Sequence, residues 1–389
     1  MGMMFLFQHA NAQTTQATLF VGHPDRIKTL DSLIENAHTL ALNKNDYQIA
    51  FRNAIQAGPQ SDSLLIQVAV HFFSHLAYGK HSIGLQYEGV RFKMNAYNVP
   101  ALVNEYAAHK SLSKLVTYFS NSAKEVNTIL ATLKGLRDST KQINAKIELL
   151  TKAANDYRWL NAVKQENRII LVNIPSAQLR AYDHGKQVLN MKVIVGKFAT
   201  QTNTLSSPID KITINPYWTV PKSIAIKEML PKIKKSINYF EENHLQLLNS
   251  NYRVIQPSSI NWESYSEAYF PFTIRQGTGC DNSLGLLKVE FDSPFGIYLH
   301  DTPEKALFGN ANRFYSHGCM RMEKPIDMGK WLLQNNPKAL DTIDFNKCYK
   351  DPAPKSIPVT LSTQVIVWYS LVDFDNNGNL KFYKNIYEK

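Results

Sequence analysis

The sequence predicts an α+β chain, with a helical N-terminal domain followed by a mainly-β domain that carries an insertion. Three features point there. Apolar residues recur at a helical period from about residue 24 to 156, short β-rich runs parted by turn residues begin at Asn167, and residues 222–275 break that strand rhythm.

In the helical part, Leu65, Val68, Phe72 and Leu76 fall on one face at a period of about 3.6 residues. A second series, Val126, Ile129, Leu130, Leu133 and Leu136, continues through Ile143, Ile147 and Leu150. His71 and His75 stand four apart on the first of these helices, which is metal-ligand spacing. They lack the acid of a His-Glu-x-x-His motif and have Phe72 and Phe73 between them, so partly exposed helix histidines are expected.

Ile169–Asn173, Leu179–Tyr182 and Val188–Val195 read as strands, with Asp183-His184-Gly185-Lys186 as a hairpin signal. More strands are expected at Lys211–Ile214, Leu286–Phe291 and Gly296–His300. Within the insertion, Ser223 is placed to cap a lysine-rich helix, and Asn249, Asn251, Pro257 and Ser258 mark loops. Insertions inside a sheet domain commonly form lids or substrate-selecting elements. The closing stretch Val359–Tyr387 reads as two strands joined by Asp375-Asn376-Asn377-Gly378. Asp373, Asp375, Asn377 and Gly378 match the opening of a calcium loop, but Lys384 stands where such a loop needs a bidentate glutamate, so a hairpin turn is the reading. The domain map is therefore 24–156 helical, 167–350 sheet with the 222–275 insertion, and 356–389 a C-terminal β-hairpin completing one or the other.

The chain has 389 residues, room for two or three cores, and its 44% hydrophobic and 19% charged residues place it among soluble globular proteins. A formal net charge of +11 favours polyanions: nucleic acid, anionic lipid or an acidic wall polymer. The lysines are spread out, apart from Lys222, Lys227, Lys232, Lys234 and Lys235, which read as a solvated helix face. Zinc-finger spacing, a Gly-rich RNA motif and an arginine-rich arm are all missing, so the charge does not point to nucleic acid. The charge-free stretch Ser356–Val372 is broken by polar residues and alternates like a strand, so no membrane span is expected.

The opening MGMMFLFQHANAQ sets Ala10-Asn11-Ala12 before Gln13, the small-x-small form of a signal-peptidase site, behind the apolar run Met3 to Phe7. That run is short and has no basic segment ahead of it. Residues 1–12 are read as the remainder of a secretory signal whose start is missing, which implies export to the periplasm or cell envelope. Three cysteines leave at least one unpaired in an oxidising compartment; a Cys280–Cys348 disulfide with Cys319 free is one arrangement.

Two stretches carry chemistry, GIYLHDTP (296–303) and SHGCMRM (316–322). In the first, Ile297 and Leu299 alternate with Tyr298 and His300, so a strand would bury the aliphatics and present the other two together. Thr302 and Pro303 resemble a helix N-cap and first helical residue, which would end the strand at His300. In the second, Gly318 allows a sharp turn with Cys319 at its apex, and an extended exit points Cys319 and Arg321 one way and Met320 and Met322 to the core. A free thiol titrates near about 8.5, so a nucleophilic cysteine needs a base or cation, and His300, His317 and Arg321 are candidates. A cysteine–histidine pair can form a thioester, with backbone N–H groups of the turn binding the oxyanion. A metal site of Cys319, His317, His300 and Cys280 would need a histidine and a cysteine two apart in one tight turn, which is poor ligand geometry. A buried inert thiol remains the open alternative on spacing alone.

SHGCMR following HDTP closely resembles the YkuD-type L,D-transpeptidases, whose signature is His…Ser-x-Gly-Cys-x-Arg, and most resembles their large YcbB-like branch. The resemblance covers about residues 155–389, including INPYWTVPKSIAIKEMLPKI and DFDNNGNLKFYKNIYEK; the helical part resembles the branch's scaffold only loosely. It implies a mainly-β L,D-transpeptidase catalytic domain with a capping insertion, preceded by an α-helical scaffold domain. It further implies Cys319 as nucleophile and His300 as general base, with Asp301 positioning the imidazole through its backbone. His317, Gly318 and Cys319 would form the oxyanion turn. Arg321 would favour the thiolate and a substrate carboxylate, and Tyr298, Ser316, Asn215, Tyr217 and Trp218 would line the substrate groove. The implied partners are peptidoglycan stem peptides and carbapenem inhibitors, with no metal or organic cofactor. The implied reaction is a 3→3 cross-link formed with release of D-Ala. Hydrolysis to a tripeptide, D-amino-acid exchange at the same site, and a catalytically weak wall-binding protein are the alternatives. Three features depart from the family pattern: Cys280 lies in a loop where the pattern has no cysteine, no separate peptidoglycan-binding domain is evident, and Met320 and Met322 replace the more usual branched aliphatics, a tolerable core change.

Overall fold

A computed structural model of the chain describes residues 18–80, 83–121, 123–136, 141–341, 347–348 and 351–388. The signal-like segment 1–12 lies outside them. The described residues form two compact units, 18–80 with 97–159 and 83–96 with 160–388.

The first unit is helical: Pro24–Glu35, Asn45–Gln56, Ser61–Tyr78, Val99–His109, Leu112–Asn121, Lys124–Gly135 and the start of Lys141–Glu166. Leu65, Val68, Phe72 and Leu76 are buried, as their spacing predicts. Val126 and Ile129 are also buried, but Leu130, Leu133 and Leu136 border an open apolar groove with Leu42 and Ile147 rather than filling a core. His75 Nδ1 shares a hydrogen bond of 2.6 Å with the Tyr47 hydroxyl, and the His71 ring stands 4.5 Å from that of His75.

In the second unit, strands Arg168–Asn173, Gln178–Asp183 and Lys186–Gly196 form an antiparallel meander, with Asp183 and Lys186 paired across the predicted turn. Lys186–Gly196 then pairs with Met320–Met322, which runs parallel to Leu299–His300. That short strand is antiparallel to Leu287–Phe291, itself antiparallel to Leu205–Ile214. Thr363–Trp368 pairs with both Arg168–Asn173 and Leu205–Ile214, so the sheet closes on itself and leaves fewer unpaired edges. Its interior is filled by alternate residues, Ile170, Val172, Leu179, Val193, Val195, Met320 and Met322 among them. The two methionines are fully buried, which turns Arg321 to the opposite face.

Four expectations need correction. The strand expected from Gly296 shrinks to Leu299–His300, because Gly296 has a left-handed φ of +61° and bends the chain, although Ile297 still reaches the core. The helix expected after Thr302 is a five-residue 3-10 turn, Lys305–Gly309. Ser223 does not cap the lysine-rich helix, since Pro221 precedes the helix and Ser223 lies inside its first turn. The C-terminal stretch is more than one hairpin: Lys355–Pro358 and Thr363–Trp368 join the main sheet, and only Val372–Phe374 with Leu380–Phe382 form the hairpin. Asp373 is wholly buried and accepts from Asn173, Ser176 and Arg180.

The insertion folds as a small module. A helical run passes through Lys222–Ile224, a π-helical stretch Ala225–Met229 and Leu230–Lys235. It packs on a four-stranded sheet, Trp218–Thr219, Thr273–Gln276, Leu245–Leu248 and Val254–Ile255, through a separate core that includes Ile233, Phe240, Leu247, Trp262 and Ile274. Cys280 and Cys348 are joined in a disulfide and Cys319 is free.

Candidate active site

His300 ends its strand beside Met320–Met322, opposite Arg321 in the parallel register, so the sheet itself brings GIYLHDTP and SHGCMRM together. Cys319 and His300 both line a cleft of about 420 Å³ with Arg321, His317, Tyr298, Trp218 and Ser316. The far wall comes from the insertion, through Ile224, Glu228, Met229, Lys232 and Tyr239. Asn215 and Tyr217 are not on this wall. Asn215 is buried with its N–H on the Leu286 carbonyl, and Tyr217 lies under the Arg275 guanidinium at 4.1 Å.

The imidazole of His300 is buried, and its Nδ1 meets the Asp301 carbonyl at 2.5 Å. A carbonyl only accepts, so Nδ1 carries the proton and Nε2 holds the lone pair. Burial, helped by the Arg321 cation, pushes the imidazole down to about 3, so it is neutral at ordinary pH. The Asp301 carboxylate is occupied elsewhere: it accepts from the N–H groups of Leu286 and Thr302 and pairs with Lys305. These bonds fix the end of the strand and with it the carbonyl that aims the ring.

Burial pushes the Cys319 thiol up, against hydrogen bonds from the main chain and side chain of Tyr298 and the nearby cations Lys288 and Arg321. The resting pair is therefore thiol and neutral imidazole. Gly318 takes a left-handed φ of +110°, and a Cβ there would stand 3.3 Å from the Gln201 carbonyl oxygen. The Ser316 hydroxyl donates to the Cys319 carbonyl at 2.5 Å and accepts from the Gly318 N–H at 3.2 Å. Ser316 borders the cleft, but its hydroxyl is taken up within the turn. The Gly318 N–H is taken up too, which leaves those of His317 and Cys319 as the turn's candidate oxyanion donors. The His317 ring reaches to the insertion, its Nε2 meeting Glu228 Oε1 at 2.6 Å. Arg321 is ion-paired with Glu304.

The family model of the YkuD L,D-transpeptidase catalytic domain matches residues 167–367, just over half of the chain. The chain belongs to this family. A Haemophilus influenzae protein, provisionally named an L,D-transpeptidase, is 33% identical over 236 residues, covering 61% of this chain and 47% of that protein. The chain thus spans about half the length of this curated relative. Among solved structures, an L,D-transpeptidase from Mycobacterium smegmatis is matched at a TM-score of 0.22 and 11% identity, over 52% of this chain and 58% of that one. Mycobacterium tuberculosis L,D-transpeptidase 1 is matched at a TM-score of 0.23 and 13% identity, over 51% and 60%.

Around this YkuD site several neighbours escape the sequence reading. Lys288 stands opposite His300 in the antiparallel register, with Nζ 4.2 Å from the Tyr298 ring centroid and 3.0 Å from Glu290 Oε2. The alternation in LKVEF, with Leu287, Val289 and Phe291 inward, was a signal that Lys288 and Glu290 share the other face. Glu228, Thr202 and Tyr387 had no such signal.

Proposed function

We propose that the chain is an exported L,D-transpeptidase that forms 3→3 peptidoglycan cross-links through a Cys319 thioester. The observation that carries the reading is the shared cleft of Cys319 and His300, with the imidazole held neutral and its tautomer set by the Asp301 carbonyl. A neutral imidazole is the form that accepts a proton.

In the first half-reaction His300 Nε2 takes the Cys319 proton as Sγ attacks the carbonyl carbon before the terminal D-Ala of a tetrapeptide stem. The C–N bond breaks, the imidazolium returns the proton to the leaving amine, and D-Ala departs. In the second, the side-chain amine of a neighbouring stem attacks the thioester, its proton passes to His300, and the thiol is regenerated. The N–H groups of His317 and Cys319 hold the oxyanion of each tetrahedral intermediate. Lys232 and Arg321 are the cleft's cations, Arg321 paired with Glu304, and are the groups available to a stem carboxylate, while Tyr298 and Trp218 line the cleft with the thiol. The 222–275 module serves as the capping element and the 24–156 domain as the scaffold. The disulfide supports an oxidising, exported setting, and no helix among the described residues is long and apolar enough to cross a membrane.

Incubation with disaccharide-tetrapeptides should release D-Ala and yield dimers, and Cys319→Ala should abolish both; dimers made by that variant would refute the assignment. Tripeptide monomers in place of dimers would assign the site to hydrolysis instead.

A further inference from the structure

The turn that carries Cys319 is held by its carbonyl oxygens. Ser316 O accepts from the Lys197 N–H at 3.1 Å and the Thr200 hydroxyl at 2.9 Å. Gly318 O accepts from the Thr202 hydroxyl at 2.8 Å. No described peptide bond is cis, and in a trans peptide the N–H points opposite to the C=O. With the carbonyls of Ser316 and Gly318 turned onto the 197–202 loop, the N–H groups of His317 and Cys319 face the other way, toward the cleft those residues line.

Thr202 is itself held, and by the far end of the chain. Its hydroxyl accepts from the Gly196 N–H at 2.9 Å, and its own N–H donates to the Tyr387 hydroxyl at 2.9 Å. Tyr387 in turn donates to the Gly196 carbonyl at 3.0 Å. A hydroxyl has one hydrogen to give. Thr202 gives its hydrogen to Gly318 and Tyr387 gives its own to Gly196, so the network is closed. Thr202 is 3% exposed, and a Cβ on Gly196 would stand 2.2 Å from the Thr200 carbonyl oxygen, so the loop has no slack against that glycine. Tyr387 is fixed from its own side, since the Tyr369 hydroxyl accepts from the N–H groups of Ile386 and Tyr387.

We propose that Thr202 and Tyr387 are positioning residues for the oxyanion donor. The C-terminal tyrosine, acting through Thr202, sets the orientation of the Gly318–Cys319 peptide, whose N–H receives the charge that develops on the substrate carbonyl. This rests on the transpeptidase reading above. Neither residue touches the substrate, so their loss should slow the acyl-forming step and leave prior binding alone. Removing an oxyanion donor outright typically costs about 10²–10³ in rate; a donor left in place but badly aimed should cost roughly 10- to 100-fold.

The test is the rate of Cys319 acylation by meropenem, followed by intact mass on the full chain across meropenem concentrations, beside each variant's melting temperature. Tyr387→Phe and Thr202→Val are expected to lower the saturating rate by roughly 10- to 100-fold with the half-saturating concentration nearly unchanged. Thr202→Ser, which keeps the hydroxyl, is expected to restore the wild-type rate. The inference is overturned if Tyr387→Phe and Thr202→Val acylate like wild type, or if Thr202→Ser is as slow as Thr202→Val. A rate loss fully accounted for by a loss of folded protein also overturns it. Failure of the wild type itself to acylate at Cys319 would refute the transpeptidase reading and the inference with it.

Discussion

Replacing His300 with asparagine should flatten the acid side of the stability curve. In the unfolded chain an imidazole titrates near about 6.5; in the folded chain burial and the Arg321 cation hold it down to about 3. Between those values the unfolded chain binds a proton that the folded chain excludes. Stability therefore rises with pH through the window and is lost as pH falls from the unfolded value toward the folded one. Each pH unit well inside the window is worth about 1.4 kcal/mol, so the loss from about pH 6.5 to about pH 4.5 is roughly 2 kcal/mol, and the limit below about pH 3 is roughly 5 kcal/mol. In His300→Asn the amide can keep the hydrogen bond to the Asp301 carbonyl, but it has no proton to titrate.

The assay is urea unfolding of both proteins at a series of pH values, taking the difference in unfolding free energy at each. Other titrating groups are common to both chains and cancel. The wild-type advantage should shrink by roughly 2–3 kcal/mol as pH falls through the window. A difference that stays flat would mean the imidazole titrates alike in the folded and unfolded chains. The account of His300 as a buried neutral base would then be wrong.

Two further perturbations test the framework around the site. Asp373→Ala removes the carboxylate that accepts from Arg180, Asn173 and Ser176 in a fully buried position. It should cost about 3–5 kcal/mol in denaturant unfolding, since it strands a buried charge; a loss below about 1 kcal/mol would contradict the burial of that pair. Reducing the Cys280–Cys348 disulfide opens a connection spanning 68 residues. Chain entropy puts the resulting loss near about 4 kcal/mol. Melting with and without reductant checks it, and an unchanged melting temperature would rule the bridge out as a stabilising element.

The candidate site was legible in the sequence to the degree that the partners of its residues are local. Cys319, Gly318 and Ser316 lie within one turn, and the alternation around Tyr298 and His300 gave the right inward pair, Ile297 and Leu299. Alternation identifies a strand but not its neighbour, so closure of the sheet through Thr363–Trp368 left no trace in the pattern. The same limit hid Glu228, Thr202 and Tyr387. Their bonds to His317, Gly318 and the Thr202 N–H span 89, 116 and 185 positions. Asn215 was misplaced for a related reason. It belongs to a segment that resembles the family groove, but its left-handed φ of +48° and its bond to Leu286 keep it in the wall of the sheet.

The electrostatics explain why those long-range bonds matter. A thiolate–imidazolium pair would bring its nucleophile ready-made, but here burial disfavours both ions, raising the thiol and lowering the imidazole. On the proposed mechanism, charge therefore has to appear during the reaction, on the sulfur, the imidazole and the substrate oxygen together. Groups fixed beforehand are what stabilise charge that appears late, because they need no rearrangement when it does. Each such group is held through backbone geometry: the imidazole by the Asp301 carbonyl, the turn by Ser316, and the Cys319 N–H by the Gly318 carbonyl that Thr202 grips. On the proposal above, the Tyr387 hydroxyl reaches that N–H only through Thr202, so its loss should slow acylation without weakening prior binding.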